Sequence, residues 1–352
     1  MTASNRAMGN SPAITPPLPR FERGIFTLSL DFELIWGTLD LQSHHRFVSL
    51  CTIEREQVVS RLLDLFAEFK VSATWCTVGH LFLDRCVGGC GRRHPELVRS
   101  SAWDAIRLNR DPGTSEEHAP VFYGRKLVDQ IRDCETPQEI GSHSFSHVLF
   151  DESACSLETA ESELEAAVSA ADELGLELRS FAFPRNRIGH TGLLRKYGFT
   201  SYRNRDQSWY EPVAPRRWFH RAAHLADILI AGAPPAVLPH WDPNGLWAIP
   251  GSMLYTPAYG LRKCIPVQLR VARARKGLRA AVRERRIFHL WLHPTDLAER
   301  TDAMLSGLRR IFETVAQLRD AGEIEVLTMG ELAHRLSCLT ALDSTTVPRE
   351  VA

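Results

Sequence analysis

Three short clusters hold side chains able to do chemistry, and each follows an apolar run. Asp31-Phe32-Glu33 closes the run Ile25-Phe26-Thr27-Leu28-Ser29-Leu30. On an extended chain, positions i and i+2 share one face, so both carboxylates would stand side by side and could divide the work of a base and a metal ligand. His143-Ser144-Phe145-Ser146-His147 carries imidazoles at i and i+4, a spacing that puts both on one side of a helical turn, where they can grip one cation. His293 follows the apolar run Phe288 to Leu292 and precedes Pro294. An imidazole at a strand's C-terminal end lies where α/β folds gather catalytic groups. Each cluster alone has an ordinary reading: a solvated loop pair, two histidines without a metal, a capping or core histidine. Their joint occurrence, each after a strand, is a much rarer coincidence.

Such clusters need a frame that brings strand ends together, and the apolar pattern predicts one. Residues 25–30 read as a buried strand. Val58, Leu62, Leu65, Phe66 and Phe69 form a helical stripe, and Val71 to Val78 a second strand, together a βαβ unit. A helix is expected from about Tyr123 to Cys134 and a short strand at Glu139 to His143. Leu157, Ala160, Leu164, Ala167, Ala171 and Leu174 recur at helical spacing, with Gly175 placed as a C-cap. Strands at Leu178 to Phe183, Phe199 to Tyr202, Ile287 to Leu292 and Glu323 to Leu327 alternate with helices at Gly192 to Tyr197 and Asp302 to Leu318. That alternation predicts an α/β fold with a parallel sheet or barrel.

Composition narrows the classes. Lys and Arg number 42 and Asp and Glu 42, so no broad positive field favours nucleic acid as a partner. With 44% hydrophobic and 24% charged residues, the 352-residue chain is expected to fold into a packed enzyme-sized body. Eight cysteines, at 51, 76, 86, 90, 134, 155, 264 and 338, are too sparse for a disulfide scaffold, which fits a reducing compartment. Pro12, Pro16, Pro17 and Pro19 interrupt the apolar run that a signal peptide would need, so a cytoplasmic location is expected. The most apolar later stretch, Leu225 to Leu238, falls short of the roughly 20 residues of a spanning helix. No transmembrane segment is predicted, and contact with the inner face of the membrane stays open, as does the oligomeric state. The expected organisation is a disordered segment 1–22, one catalytic domain 23–337 with an insertion at about 80–137 and an irregular segment at about 206–262, and a tail 338–352.

Several residues have two readings. Trp36, just past Glu33, could floor a sugar site or pack in the core. His289 reads as structural. Cys86, Cys90 and His94 hint at a second metal site, but without an evident fourth ligand the simpler reading is reduced, unligated thiols. The eight basic residues between Arg270 and Arg286 read as a solvated helix face rather than an anionic-substrate patch.

The order of Leu28-Ser29-Leu30-Asp31, Ala73-Thr74-Trp75, Glu139-Ile140-Gly141-Ser142-His143-Ser144-Phe145-Ser146-His147, Phe183-Pro184-Arg185-Asn186, Leu292-His293 and Val326-Leu327-Thr328-Met329-Gly330-Glu331-Leu332 resembles the polysaccharide deacetylase family. This is carbohydrate esterase family 4, the chitooligosaccharide deacetylase homology group. The resemblance spans about Gly24 to Leu336 and implies a distorted, incomplete (β/α) barrel holding one divalent metal, by family habit zinc. It assigns His143 and His147 as metal histidines, Asp31 as the base and His293 as the acid. The family's second aspartate directly follows the first, whereas Phe32 stands there, which makes Glu33 the candidate carboxylate ligand and leaves the division between Asp31 and Glu33 open. The arginine that usually precedes the proline of the third motif is replaced by Phe183, so Arg185 is assigned to steady the catalytic aspartate, with Asn186 and Trp36 as substrate-binding residues. Asp206-Gln207-Ser208-Trp209 is the nearest relic of an Asp-x3-Trp motif.

The implied activity is hydrolysis of an N-acetyl group from a sugar in a cell-envelope glycan, its lipid-linked precursor or a sugar nucleotide, so an N-acetylated carbohydrate is the expected partner. Amide hydrolysis needs an activated water, a stabilised oxyanion and a proton for the amine, which a metal, a base and an acid would share. Two alternatives remain: hydrolysis of another non-peptide C–N bond, as in allantoinase-like relatives, and a catalytically silent glycan-binding homologue.

Overall fold

Strands and helices alternate along the chain, as the apolar runs and stripes require. The computed structural model describes residues 20–41, 44–86, 94–99, 108–207 and 232–346. Its strands are Gly24–Phe32 (β1), Thr74–Thr77 (β2), Glu139–Ser142 (β3), Ser180–Ala182 (β4), Ser201–Asn204 (β5), His240–Trp241 (β6), Trp247–Pro250 (β7), Met253–Leu254 (β8), Ile287–Leu292 (β9) and Ile324–Val326 (β10). The α-helices are His44–Ile53 (α1), Val59–Phe69 (α2), Arg125–Arg132 (α3), Leu157–Asp172 (α4), Thr191–Lys196 (α5), Val267–Glu284 (α6), Thr301–Asp320 (α7) and Met329–Thr346 (α8).

Among the described residues the strands form one sheet in the order β6-β7-β5-β4-β3-β2-β1-β9-β8, with β10 also paired to β1. Every pairing is parallel except β6 with β7. β1 is buried along its whole length, as a strand covered on both faces must be. Its neighbours supply the cover and the partners. β9 runs along one edge from Ile25 opposite Ile287 to Leu30 opposite Leu292, while β10 and β2 share the other.

The sheet curls strongly. Arg203 in β5 stands four strand spacings from Asp31 in β1, which in a flat sheet would be about 19 Å, far beyond a side chain's reach. Its guanidinium nonetheless lies 2.6 Å from the Asp31 carboxylate. β6 and β8 terminate the path, so the barrel is incomplete, as the sequence motifs implied.

Helix stripes close the outside of this half-barrel. In α2, Leu62, Leu65 and Phe66 are buried, and Phe66 meets Phe312 of α7 at 5.7 Å between centroids. In α4 the buried face is Ala160, Leu164, Ala167 and Ala171. Ser156 caps its start by accepting from the Thr159 amide at 3.2 Å, and Gly175 takes the left-handed φ of +67° beyond its end. α6 lies against β9 because Gly277 has no Cβ; one placed there would meet the Phe288 ring at 2.4 Å.

Two expectations change here. The basic helix α6 is not a purely solvated face, since Arg270 is 2% exposed. Its guanidinium donates to the carbonyls of Thr256 at 2.7 Å and Pro257 at 2.8 Å, which ties down the chain that enters the helix. The irregular segment 206–262 also contributes β6, β7 and β8 to the sheet, and β8 brings the chain back to the β9 side. Among the described residues no helix is long and apolar enough to cross a membrane.

Candidate active site

Parallel strands present their C-terminal ends at one rim, and the three chemical clusters meet there. A cavity of about 320 Å³ opens at that rim, and Asp31, Glu33, His143, His147, Arg185 and His293 are among the residues that line it.

The two carboxylates stand on one face, as strand alternation predicted, but their surroundings differ. Phe32 between them turns into the core, fully buried and edge-on to Trp75 at 5.6 Å. Asp31 accepts two parallel bonds from Arg203, Nη1 to Oδ1 and Nη2 to Oδ2, each 2.6 Å. Burial alone would raise the Asp31 carboxyl; Arg203 and, more weakly, His143 and His293 reverse this and hold it below its usual range. Arg203 is itself braced by Ser29 Oγ at 3.2 Å and by the Trp291 ring, 4.4 Å from its guanidinium carbon. Glu33 instead faces imidazoles: its Oε2 lies 2.9 Å from His147 Nε2 and 3.4 Å from His143 Nε2. Against the cost of burial, those two rings keep Glu33 well below the ordinary range.

The histidine pair converges by a route that differs from the expected helical turn. His143 follows the end of β3, and the loop after it places Ser144 at φ +61° and His147 at φ +63°, both left-handed. Buried Glu163 of α4 holds that loop by accepting from the amides of Phe145 at 3.0 Å and Ser146 at 2.7 Å. The imidazoles end 5.0 Å apart between centroids. His143 Nδ1 donates to the Ala182 carbonyl at 2.8 Å, which turns Nε2 toward Glu33. Two imidazole nitrogens and one carboxylate oxygen, all within 4.8 Å of one another, fit a divalent cation with three protein ligands.

His293 caps the turn Pro294–Arg300. Its Nδ1 donates to Asp296 Oδ2 at 2.9 Å, and its Nε2 points toward Asp31 Oδ2 at 3.6 Å. Burial disfavours its charge, but Asp296, Glu33 and Asp31 outweigh that and push it up to about 10. Behind this turn, Glu54 opens a π-helical turn and accepts from the Thr295 hydroxyl. Burial pushes the Glu54 carboxyl up to about 8 despite that bond.

No protein-family model matches the sequence, and no curated protein matches it. Solved structures do. A structure assigned as a polysaccharide deacetylase from Mycobacterium smegmatis matches with a TM-score of 0.60 over 97% of this chain and 98% of that one, at 14% identity. The chain has the polysaccharide deacetylase fold. One assigned as such from Pseudomonas aeruginosa PAO1 matches at 0.55, covering 88% and 89% at 12% identity. Puue allantoinase matches at 0.59, covering 95% and 98% at 12% identity.

Within this deacetylase fold, some assigned residues move. Arg185 does not touch Asp31; it donates to Asp40 Oδ1 at 2.6 Å at the cavity wall. The arginine on Asp31 is Arg203, which the motifs missed because it stands in a different strand. Trp36 does not reach the cavity either. It is 0% exposed, donates to the Phe122 carbonyl at 3.0 Å and packs on His80, so it cannot stack on a sugar. Trp291 lines the cavity instead, with its Nε1 donating to Asp206 Oδ1 at 2.9 Å. Ser208 and Trp209 of the suspected relic motif lie outside the described residues. Asn186 does line the cavity, and its Oδ1 is buried without a hydrogen-bond partner. His289 is structural, as expected: Nδ1 donates to Pro250 O at 3.1 Å and Nε2 accepts from Ser29 Oγ at 2.8 Å. Burial, with Arg203 nearby, lowers it to about 3.

Proposed function

We propose that the chain is a metal-dependent hydrolase that removes an N-acetyl group from a sugar. The observation that carries this reading is the convergence of Glu33, His143 and His147 on one point of a cavity that Asp31 and His293 also line. Glu33, His143 and His147 would hold the cation, zinc by the resemblance to the deacetylase family. When bound, it supplies Lewis-acid activation of water and of the scissile carbonyl.

The chain's own groups do the rest. Asp31, kept ionised by Arg203, takes the proton of the attacking water. Its position is fixed by two bonds from a planar guanidinium, so the base need not reorganise as the proton moves. His293 is oriented by Asp296 and held protonated, and it gives its Nε2 proton to the leaving amine. Asn186, with an oxygen unpartnered at the cavity wall, supplies an acceptor for a substrate N–H or O–H. Trp291 and Tyr259 supply apolar surface in the same cavity.

Acetate release tests the reading. The zinc-loaded protein should release acetate from an N-acetylated chitooligosaccharide or from a sugar nucleotide bearing N-acetylglucosamine, and a chelator should abolish it. Turnover of allantoin without release of acetate from any sugar would favour the C–N hydrolase reading, which the fold-level match to an allantoinase supports equally well. Sugar binding without turnover of either substrate would leave a glycan-binding homologue.

A further inference from the structure

A second set of ligating side chains lies outside the cavity just described. His80, on the turn after β2, faces Cys86, His94 and Asp111 from the insertion, and one donor atom from each lies within 4.8 Å of all the others. Three of the four residues are buried and Cys86 is partly so. We infer that His80, Cys86, His94 and Asp111 form a second divalent-metal site, a structural zinc site that fastens the insertion to the wall behind the active-site histidines.

The argument is geometric. Asp111 Oδ2 lies 3.2 Å from His80 Nε2, 3.0 Å from His94 Nε2 and 3.1 Å from Cys86 Sγ. In a nucleophilic triad the imidazole stands between thiol and carboxylate, in a line. Here the four donor atoms cluster instead, all within 4.8 Å of one another, so that one ion could be surrounded by all four. Zinc bonds of about 2.0 to 2.3 Å place tetrahedral ligands roughly 3.3 to 3.8 Å apart, so these atoms need shift by only about 1 Å.

The surrounding groups point the same way. His80 Nδ1 donates to the Phe122 carbonyl at 3.0 Å, and His94 Nδ1 to Glu96 Oε1 at 3.0 Å. Each outer nitrogen thus faces an oxygen, the second-shell pattern that turns Nε2 inward as a ligand. Asp111 Oδ1 is held by the Gly113 amide at 2.9 Å, which leaves Oδ2 for the centre. A thiolate, two imidazoles and one carboxylate suit zinc, and all four positions come from the protein, as in structural sites.

The ligands span residues 80–111, so one ion would close a loop of about 30 residues. It would also brace the catalytic loop. The His80 amide donates to Phe145 O at 3.0 Å, and the Phe145 ring packs on His94 at 5.2 Å between centroids. Phe145 lies between His143 and His147.

The inference does not depend on the proposed activity, and cobalt separates the two because the catalytic cluster contains no sulfur. The full chain is reconstituted with Co²⁺ and its near-ultraviolet spectrum recorded. A thiolate-to-cobalt charge-transfer band is expected in the wild type and in a His143→Ala, His147→Ala variant, and its loss in Cys86→Ser. Elemental analysis of the zinc-loaded chain should give about two ions for wild type and about one for either variant. If Cys86→Ser does not fold, Cys86→His keeps a fourth ligand, so it should retain the second zinc without the band. Absence of the band in the wild type, or its persistence in Cys86→Ser, would overturn the site. Unchanged zinc in the His143→Ala, His147→Ala variant would count against the catalytic cluster alone.

Discussion

Replacing Arg203 by Met tests how the base is held. Arg203 is 1% exposed and Asp31 3% exposed, so the substitution strands a carboxylate in a site that water barely reaches. Removing one partner of a buried ion pair costs about 3 to 5 kcal/mol, because the remaining charge has lost its compensation. The sign of the pH dependence identifies the cause. In the wild type the Asp31 carboxyl is lowered, so its stabilisation is present above the ordinary aspartate value and is lost as pH falls through the lower folded value. Without Arg203, burial is the largest influence left and shifts the same carboxyl upward from its wild-type position. The deficit of Arg203→Met should therefore be full at neutral pH and shrink on acidification toward about pH 4. Denaturant unfolding of both chains at each pH measures it, and groups that titrate alike in both cancel. Combining Arg203→Met with Asp31→Asn should recover part of the loss. A deficit that stays constant with pH, with strictly additive single effects, would refute the argument and leave Arg203 only its packing on Trp291.

Three other outcomes follow from the site. Glu33→Gln should lower zinc affinity, while Asp31→Asn keeps the metal and loses turnover; metal content and acetate release of the two variants decide, and the reverse pattern would exchange the roles. His293→Ala should cut amide turnover by something like 10²- to 10⁴-fold, with much less loss on an activated ester whose leaving group needs no proton. Equal losses would make His293 a residue that shapes the site. Glu54 keeps its proton up to about 8 in the folded chain against 4.5 in the unfolded one, so the native state binds the extra proton and loses stability as pH rises through that window. Glu54→Gln should remove this slope and gain roughly 3 kcal/mol relative to wild type at neutral pH, as measured by unfolding across pH.

Apolar periodicity made the central strands and the long helices legible, because burial on both faces of a parallel sheet leaves unmistakable runs such as residues 25–30. What periodicity could not supply is curvature. Arg203 belongs to a short strand whose partner lies on the far side of the half-barrel, and nothing in Ser201-Tyr202-Arg203 announces Asp31. The histidine pair was visible from its spacing, but the left-handed Ser144 and His147 depend on Glu163, which arrives from a helix later in the chain. The cluster of His80, Cys86, His94 and Asp111 was only half visible. Its gaps match no repeating ligand pattern, and the fourth ligand comes from deep in the insertion. Cys90, also suspected, lies outside the described residues.

Strand geometry explains why the proposed carboxylate ligand stands at position 33 rather than at position 32. Along β1, odd positions 29 and 31 face the cavity side, where Ser29 and Asp31 both meet Arg203. Position 32 faces the other way, into the packing of Phe32 on Trp75. An aspartate placed there, with the strand continued as it is, would sit among apolar rings without a partner, at a cost of several kcal/mol. Glu33 stands where the strand has just ended, with φ −131° and ψ −14°. Its side chain lies on the cavity side with those of Ser29 and Asp31, as alternation requires, and the extra methylene of glutamate over aspartate extends its carboxylate to both imidazoles. The shift by one residue and the longer side chain thus act together. Glu33→Asp should therefore weaken metal binding although it restores the family's usual residue type. Full zinc affinity in that variant would show that the backbone, rather than side-chain length, sets the ligand's reach.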